Sequence, residues 1–508
     1  MTDKSCILGI DIGTTSVKAV AFDMNKNVLV KNRDELNLIV ESNYMAEQDP
    51  HEVYEKLTLV MEKTISAAVS QGRSIAMVGF SSAMHSLLLV SSDGTPVGNA
   101  MTWMDGRAAR TANEIWNTKT GRELYYRTGT PVHAMSPMVK LVWLQDVMPS
   151  EFQSTGKFVS LKEWVWYQWF GVWEVDESIA SATGLLNLQT RQWDEQALEF
   201  VKVRTSQLSQ IVKTKFSRRG CQEERLLDAG LTKNTRFGIG ASDGVLANLG
   251  VGAVQSGSIA LTMGTSIAVR LLSEKPQTHE AIRSFCYILD DSRFVVGGPS
   301  NSGGIVLDWI YSNVAVKDMS MTQAIDAAKT VSTDGLYCLP YVSGERSPLW
   351  DSEARASFVG LTLQHNGLHM LRAGIEGILF NAYWIASELF EQVGKPHVLI
   401  ASGKLFEVVW VRQLLADIFD IPVRVNFLSD ASILGAVDLA EHSDCQSGAE
   451  TKQLEAERPV QEALQSENVK EEVFFPKNPL QYKHKYQQFR KTAAAFQELS
   501  RAWDLRRK

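Results

Sequence analysis

Apolar positions along the chain fall into short runs with either strand or helix spacing. Residues 7–12 and 17–23 are two such runs, separated by Gly13, Thr14 and Thr15, and this spacing predicts a hairpin. Residues 28–40, VLVKNRDELNLIV, continue the strand character. Residues 51–71 carry apolar side chains at helical intervals, and SIAMVGFSS (74–82) reads as a buried strand ending in small residues. Strands followed by helices predict a mixed α/β sheet covered by helices.

The pattern then returns. SIALTMGTSIAVR (258–270), laid under LGIDIGTTSVKAV (8–20), repeats an apolar strand, a glycine–hydroxyl turn and an apolar strand carrying a base. Gly264 answers to Gly13, and Thr265 to Thr14 or Thr15. Two unrelated turns would produce the same string by chance. The other reading is a duplicated domain with a period near half the chain. It divides the chain into 1–248, 256–443 and 444–508. In the last segment, 444–459 is rich in Ser, Gln, Glu and Lys and reads as a surface connection. Residues 482–503 have the spacing of a closing helix.

Composition narrows the class. At about 150 residues per domain, 508 residues imply two to four domains. A net charge of −7 disfavours nucleic acid or an anionic membrane as partner. The five cysteines (6, 221, 286, 338 and 445) form no C-x-x-C pair, which fits reduced thiols in a cytoplasmic protein. No apolar leader core precedes Asp11, and KEWVWYQWFGVW (162–173) is too short and too polar to cross a bilayer.

Three stretches carry candidate chemistry. Two glycine–hydroxyl turns facing one cleft would offer amides and hydroxyls to a polyphosphate from both sides, without a Walker A loop. Asp11 would sit beside such phosphates as an anchor for Mg²⁺; it reads equally as a turn-capping acid. The echo has Thr262 there, so a single metal pole is expected. In GIGASDGVLANLG (238–250), Asp243 lies among small residues at the junction of the halves. It is placed to deprotonate or orient a hydroxyl nucleophile, or to cap the helix that follows. Gly303 and Gly304, in GGPSNSGGIVLDW (297–309), precede a helix-like run whose N-terminus suits a nucleotide.

Taken in order, GIDIGTTSVKAV, MSPMVKLVWL (135–144), VDESIASATGLLN (175–187), GASDG, TMGTS, NSGG and GLTLQHNGLHMLRAGIEG (360–377) resemble the FGGY carbohydrate kinases, across about residues 5–440. The resemblance implies two ribonuclease-H-like (actin-like ATPase) α/β domains with the active site in the cleft between them. It implies ATP-dependent phosphorylation of a sugar or polyol hydroxyl, with Asp243 as general base and Mg²⁺ held by Asp11 through water. ATP would lie against Gly13, Thr14, Thr15, Lys18, Gly264, Thr265, Gly303, Gly304, Ser402 and Gly403. Many relatives carry three glycines where this chain has Ser402-Gly403-Lys404, so Lys404 either contacts ATP or faces solvent.

SSAMHSLLLV (81–90) resembles the sugar-contacting loop of the xylulose and gluconate kinases. Met84 would pack on a carbon face and His85 would hydrogen-bond hydroxyls; a structural histidine is the alternative. In TWMDGRAA (102–109), Trp103 offers a flat wall, Asp105 an acceptor for a diol and Arg107 a fixed cation. Met-His-Ser and Trp-Met-Asp-Gly-Arg look more like the gluconate kinases of the family than the xylulose kinases. A guanidinium fork suits a sugar acid, which makes Arg107 and Arg346 the candidates for its carboxylate; both also suit salt bridges. Expected partners are ATP and a small sugar or sugar acid, and a homodimer is compatible with the sequence. The alternatives are a xylulose or other polyol kinase and a non-catalytic actin-like ATPase.

Overall fold

A computed structural model describes residues 4–41, 44–253, 257–314, 319–426, 430–445 and 472–504. Its first sheet opens as an antiparallel meander of β1 (Ser5–Ile12), β2 (Ser16–Asp23) and β3 (Val28–Glu35). Every residue of β1 is buried, as an apolar strand covered on both faces must be. Edge strand β3 leaves about every second side chain exposed. Helix α1 (Pro50–Ser70) starts where the Asp49 carboxylate accepts the His51 amide and Pro50 fills the first turn. Its apolar face, including Val53, Leu57, Val60 and Ile65, packs on the sheet. The chain returns as β4 (Ser74–Ser82), parallel to β1. Strands β5 (Phe216–Arg218) and β6 (Arg236–Ser242) extend the sheet, and β6 runs straight into helix α2 (Asp243–Gly250).

The second sheet repeats the plan. Strands β7 (Ser258–Met263) and β8 (Ile267–Ser273) form its hairpin, followed by β9 (Phe285–Ile288) and β10 (Phe294–Ser300). Helices α3 (Gly304–Asn313) and α4 (Gly367–Val393) lead to β11 (Val398–Ser402), parallel to β7, and to β12 (Val423–Val425). Helices α5 (Ala431–Glu441) and α6 (Pro479–Asp504) and the short β13 (Asp444–Cys445) complete the described chain. The strand orders are β13-β5-β6-β4-β1-β2-β3 and β9-β10-β8-β7-β11-β12. Each sheet therefore centres on a glycine-turned hairpin with a parallel strand beside it, and the echo in the sequence is a duplicated structural unit.

The halves are not simply consecutive. Residues 431–445 follow the second sheet in sequence but belong in space to the first. Helix α5 packs on β1, β4, β6 and α2, and β13 pairs with β5. The approach is backbone-close: a Cβ on Gly79 would lie 2.4 Å from the Ala436 carbonyl, and one on Gly250 1.9 Å from that of Ala431. Ion pairs from Lys18 and Lys31 to Asp430, and from Lys26 to Asp438, fasten α5 to β2, β3 and the turn between them.

The aromatic stretch at 162–173 is a buried helix, Leu161–Phe170, whose Trp166 and Trp169 fill the first core. Among the described residues no helix is long and apolar enough to cross a membrane. Cys6, Cys221, Cys286 and Cys338 are buried free thiols. The expected closing helix is α6. Residues 446–459 of the expected surface connection lie outside the described residues.

Candidate active site

The two hairpins place matching side chains at matching points. Asp11, two residues before Gly13, pairs in register with Ser81 on the neighbouring parallel strand, and the Ser81 hydroxyl donates to Asp11 Oδ1 at 2.6 Å. Thr262, two residues before Gly264, pairs with Ser402, whose hydroxyl lies 3.3 Å from Thr262 Oγ1. One half thus carries a carboxylate and the other a hydroxyl at the strand end. The amides of Gly13 and Gly264 close their own turns, onto the carbonyls of Ser16 and Ser266, each at 2.9 Å. Among the described residues the next amides, those of Thr14, Thr15 and Thr265, have no protein acceptor. The free donors of each turn are therefore these amides rather than those of the glycines.

Asp243 opens α2 directly after β6. Its Oδ1 accepts the Gly244 amide at 2.7 Å, and the Met84 amide also donates to the carboxylate. Burial, with the Asp11 charge as a second cause, pushes Asp243 from its ordinary 3.8 up to about 7; Arg270 opposes the rise. Asp11, 8% exposed, is raised chiefly by burial as well. Two desolvated carboxylates thus share the floor between the hairpins, with Arg270 of β8 opposite. The Arg270 guanidinium donates to Thr262 Oγ1 at 3.3 Å.

The sugar-side loops pack around these acids. Met84 Cε would lie 2.7 Å from a Cβ on Gly244, so Met84 borders Asp243 directly. Trp103 Nε1 donates to Thr14 Oγ1 at 2.8 Å, tying its ring to the first hairpin. Arg346 of the second half lies over that ring, 5.1 Å from its centroid. Ile12, Thr14, Ser82, Met84 and Trp103 line a small cavity between strand end and loops.

Three sugar-side expectations change. His85, at φ 67°, has Nδ1 2.7 Å from the Ala182 carbonyl and Nε2 3.2 Å from the Tyr287 hydroxyl. The carbonyl only accepts, so Nδ1 carries the proton and Nε2 accepts from Tyr287. Both ring nitrogens are engaged by protein rather than offered to hydroxyls, and burial holds the ring neutral with its pKa at about 3. Asp105 is closed to a diol: it accepts from the Ala46 and Arg107 amides and from the Arg107 side chain. Arg107 is paired with Asp105 and Glu47 and lies over the Trp143 ring, so its guanidinium already has carboxylate partners within the protein.

The nucleotide-side residues also gather, with differences. The Gly304 and Ile305 amides donate to the carbonyls of Gly264 and Thr265 at 2.8 and 3.2 Å. The start of α3 therefore braces the second hairpin instead of presenting those donors to a phosphate. Gly303 packs beneath the same turn, where a Cβ would meet Ser266 at 2.6 Å. Gly403 has φ 127° and its Cβ would come within 2.0 Å of the Met263 carbonyl, so only glycine fits. Lys404 is exposed. Lys18 pairs with Asp430.

Several residues that hold this arrangement carried no sequence signal of their own. Lys140, fully buried, donates to the carbonyls of His85 and Thr102 and so ties the two sugar-side loops together. Burial lowers its pKa to about 7. Lys162 pairs with Asp176 at 2.7 Å and reaches the Ala241 carbonyl at 3.3 Å, supporting β6 just before Asp243. Ser178 Oγ accepts the Ser242 amide at 3.2 Å. Lys140, Lys162 and Ser178 lie in stretches already singled out; their direction into the core was the missing information.

Comparison with known proteins decides the family. Residues 6–250 match the N-terminal domain of the FGGY family of carbohydrate kinases, and residues 259–443 match its C-terminal domain. The chain belongs to the FGGY family of carbohydrate kinases. It is 38% identical over 445 residues to a gluconokinase of Bacillus subtilis (strain 168), covering 85% of this chain and 86% of that one. A gluconate kinase and a ligand-bound xylulose kinase, both from Lactobacillus acidophilus, each superpose with a TM-score of 0.89 at 32% identity. Each match covers 97% of this chain and 98% of the other.

Proposed function

We propose that the protein is an ATP-dependent gluconate kinase, converting D-gluconate and ATP to 6-phospho-D-gluconate and ADP. The observation that carries the chemistry is Asp243: a carboxylate raised to about 7, at the seam of the two halves, beside Asp11 and facing Arg270. The 38% identity to a gluconokinase supports the sugar acid as acceptor.

In this reading the terminal hydroxyl of the sugar lies against Asp243. Asp243 takes its proton as the hydroxyl oxygen bonds to the γ-phosphorus and the bond to the β–γ bridging oxygen breaks, releasing ADP. The amides of Thr14, Thr15 and Thr265 meet the phosphate oxygens from both sides and stabilise the charge spread over the transferring group. Met84 and Trp103 hold the carbon chain and keep water from the γ-phosphate. Gly303, Gly304, Ser402 and Gly403 shape the nucleotide side through the second hairpin. Lys18 acts by pairing with Asp430 and by tempering the Asp11 charge.

Asp11 and Ser81 fit a magnesium ion. They are oxygen donors at a strand end, and among the described residues no group of three metal-ligating side chains surrounds them. That donor set suits an ion held mainly by phosphate and water. Bound there, Mg²⁺ would neutralise phosphate charge next to Asp11.

The test is a coupled ADP assay with D-gluconate, D-xylulose, D-ribulose and glycerol run side by side. The expected outcome is a kcat/KM for gluconate at least tenfold above the others. Preference for xylulose would replace gluconate with the activity named for the second Lactobacillus structure. ATP hydrolysis indifferent to every sugar would defeat the kinase reading.

A further inference from the structure

A buried acid, Glu345, stands behind the second hairpin, against the end of β10. It is 2% exposed, and its backbone is fixed by two hydrogen bonds with Asp351, each of 2.9 Å. Its carboxyl gathers the loop between β10 and α3. Oε1 accepts the Asn301 amide at 2.7 Å. Oε2 meets the hydroxyls of Ser300, at 3.0 Å, and of Ser302, and it accepts from Asn381 Nδ2 of α4 at 3.3 Å. Ser302 Oγ also lies 2.9 Å from the Pro340 carbonyl oxygen. A carbonyl only accepts, so the Ser302 proton points to Pro340. The close contact between Ser302 Oγ and Glu345 Oε2 then takes its proton from the carboxyl. Glu345 is by this count a neutral acid donating to Ser302. Burial acts in the same direction, pushing its pKa from 4.5 to about 7. Ser300 of β10, Ser302 and Asn381 of α4 do not titrate. The charged and titratable neighbours are Arg346, which favours the carboxylate, and Tyr341, whose hydroxyl donates to Asn381 Oδ1 at 3.3 Å.

The loop held in this way is the brace of the second hairpin. The Ser302 amide donates to Ser300 Oγ at 3.0 Å, and Gly303 packs against Ser266. The Gly304 and Ile305 amides reach the carbonyls of Gly264 and Thr265. Direct contacts thus run from Glu345 to the turn whose Thr265 amide is proposed to meet phosphate. Resting on that phosphate reading, we propose that Glu345, as a protonated acid, is a positioning residue for the nucleotide, fixing residues 300–304 and through them the second hairpin. Loss of the proton turns Glu345 from donor to acceptor at Ser302. The Ser302 hydroxyl must then leave Pro340 to meet the charge, and the brace loosens.

The experiment is calorimetric binding of magnesium adenylyl imidodiphosphate, an ATP analogue, and of D-gluconate, or of D-xylulose if the wild type takes that sugar. The proteins are the full-length wild type, Glu345→Gln, Glu345→Asp and Ser302→Ala, from about pH 6 to about pH 9. Gln keeps an oxygen for the Asn301 amide and a donor for Ser302. The Gln variant is expected to bind the analogue within about twofold of wild type at the acid end and to hold that affinity throughout. Wild type should weaken on the order of tenfold as Glu345 ionises. Asp11 and Asp243 are the same in both proteins, so the difference between the two profiles belongs to Glu345. Asp is one methylene short of Ser302, and Ser302→Ala lacks the bridging hydroxyl. Each should weaken the analogue about tenfold at the acid end and the sugar by less than about threefold. If the Asp variant does not fold, Ser302→Ala decides. A Gln variant that loses as much as Asp, or that follows the wild-type pH profile, overturns the proton assignment. Equal losses on analogue and sugar overturn the positioning role. Gly264→Ala separates the two levels of inference. If it binds the analogue as wild type does, the phosphate reading falls, and this one with it. If it loses affinity while the Glu345 and Ser302 variants do not, this one falls alone.

Discussion

Replacing Asp243 by Asn removes the proposed base and, at the same time, a charge that the fold holds at a disadvantage. An unfolded aspartate ionises near 3.8, whereas the native one holds its proton to about 7. The raised value means that protonated Asp243 favours the folded state fully below pH 3.8. That advantage is lost as pH rises toward 7 and is gone above it. Three pH units correspond to about 4 kcal/mol, and solvent at a half-buried carboxylate brings this to ~2 kcal/mol. Asn keeps an oxygen for the Gly244 amide and carries no charge. Asp243→Asn is therefore expected to melt a few degrees above wild type at pH 8 and level with it at pH 4. Its kcat is expected to fall by about 10³ or more, and the acid limb of wild-type kcat/KM for gluconate should lie near pH 7. Calorimetry across pH and the coupled ADP assay read both quantities. A stability gain independent of pH would refute the electrostatic account, and a kcat within tenfold of wild type would refute the base.

The remaining predictions separate architecture from chemistry. Arg107→Gln leaves Asp105, 2% exposed, without its forked partner. It should destabilise the protein by about 2–4 kcal/mol in urea denaturation while leaving the gluconate-to-glucitol binding ratio unchanged. A shifted ratio would return Arg107 to the substrate. A Cβ at Gly264 meets nothing within 4 Å. Gly264→Ala should thus keep the wild-type melting temperature and raise the KM for ATP roughly tenfold or more, the methyl group intruding where phosphate is proposed to lie. Gly403→Ala, with its left-handed backbone and a carbonyl 2.0 Å from the new methyl, should instead lose stability by a few kcal/mol. Equal melting losses in the two alanine variants would contradict this contrast.

The strands of the first hairpin, the helix after them and the internal echo were legible because each rests on local periodicity. Asp11, Asp243 and both glycine turns were legible too, since an acid or a glycine inside an apolar run stands out. What the sequence hid was direction. Arg107 and Arg346 look alike as isolated guanidiniums in polar loops; only the fold closes the first onto Asp105 and Glu47 and leaves the second over Trp103. Arg270 was visible only as the base in an echo, because which face of β8 meets the cleft depends on register with β7 and β10. His85 lost its expected partners to Ala182 and Tyr287, which lie 97 and 202 residues away along the chain. No local pattern encodes pairings of that range.

Helix α5 gives the duplication an asymmetric outcome. Arriving after the second sheet is complete, it closes the face of the first and crosses α2, the helix that begins at Asp243. The early lobe is thus finished by the late one, and a nascent chain that has emerged only as far as residue 426 still lacks part of its oldest core. The seam where phosphoryl transfer is proposed to occur is also the stitch that joins beginning to end.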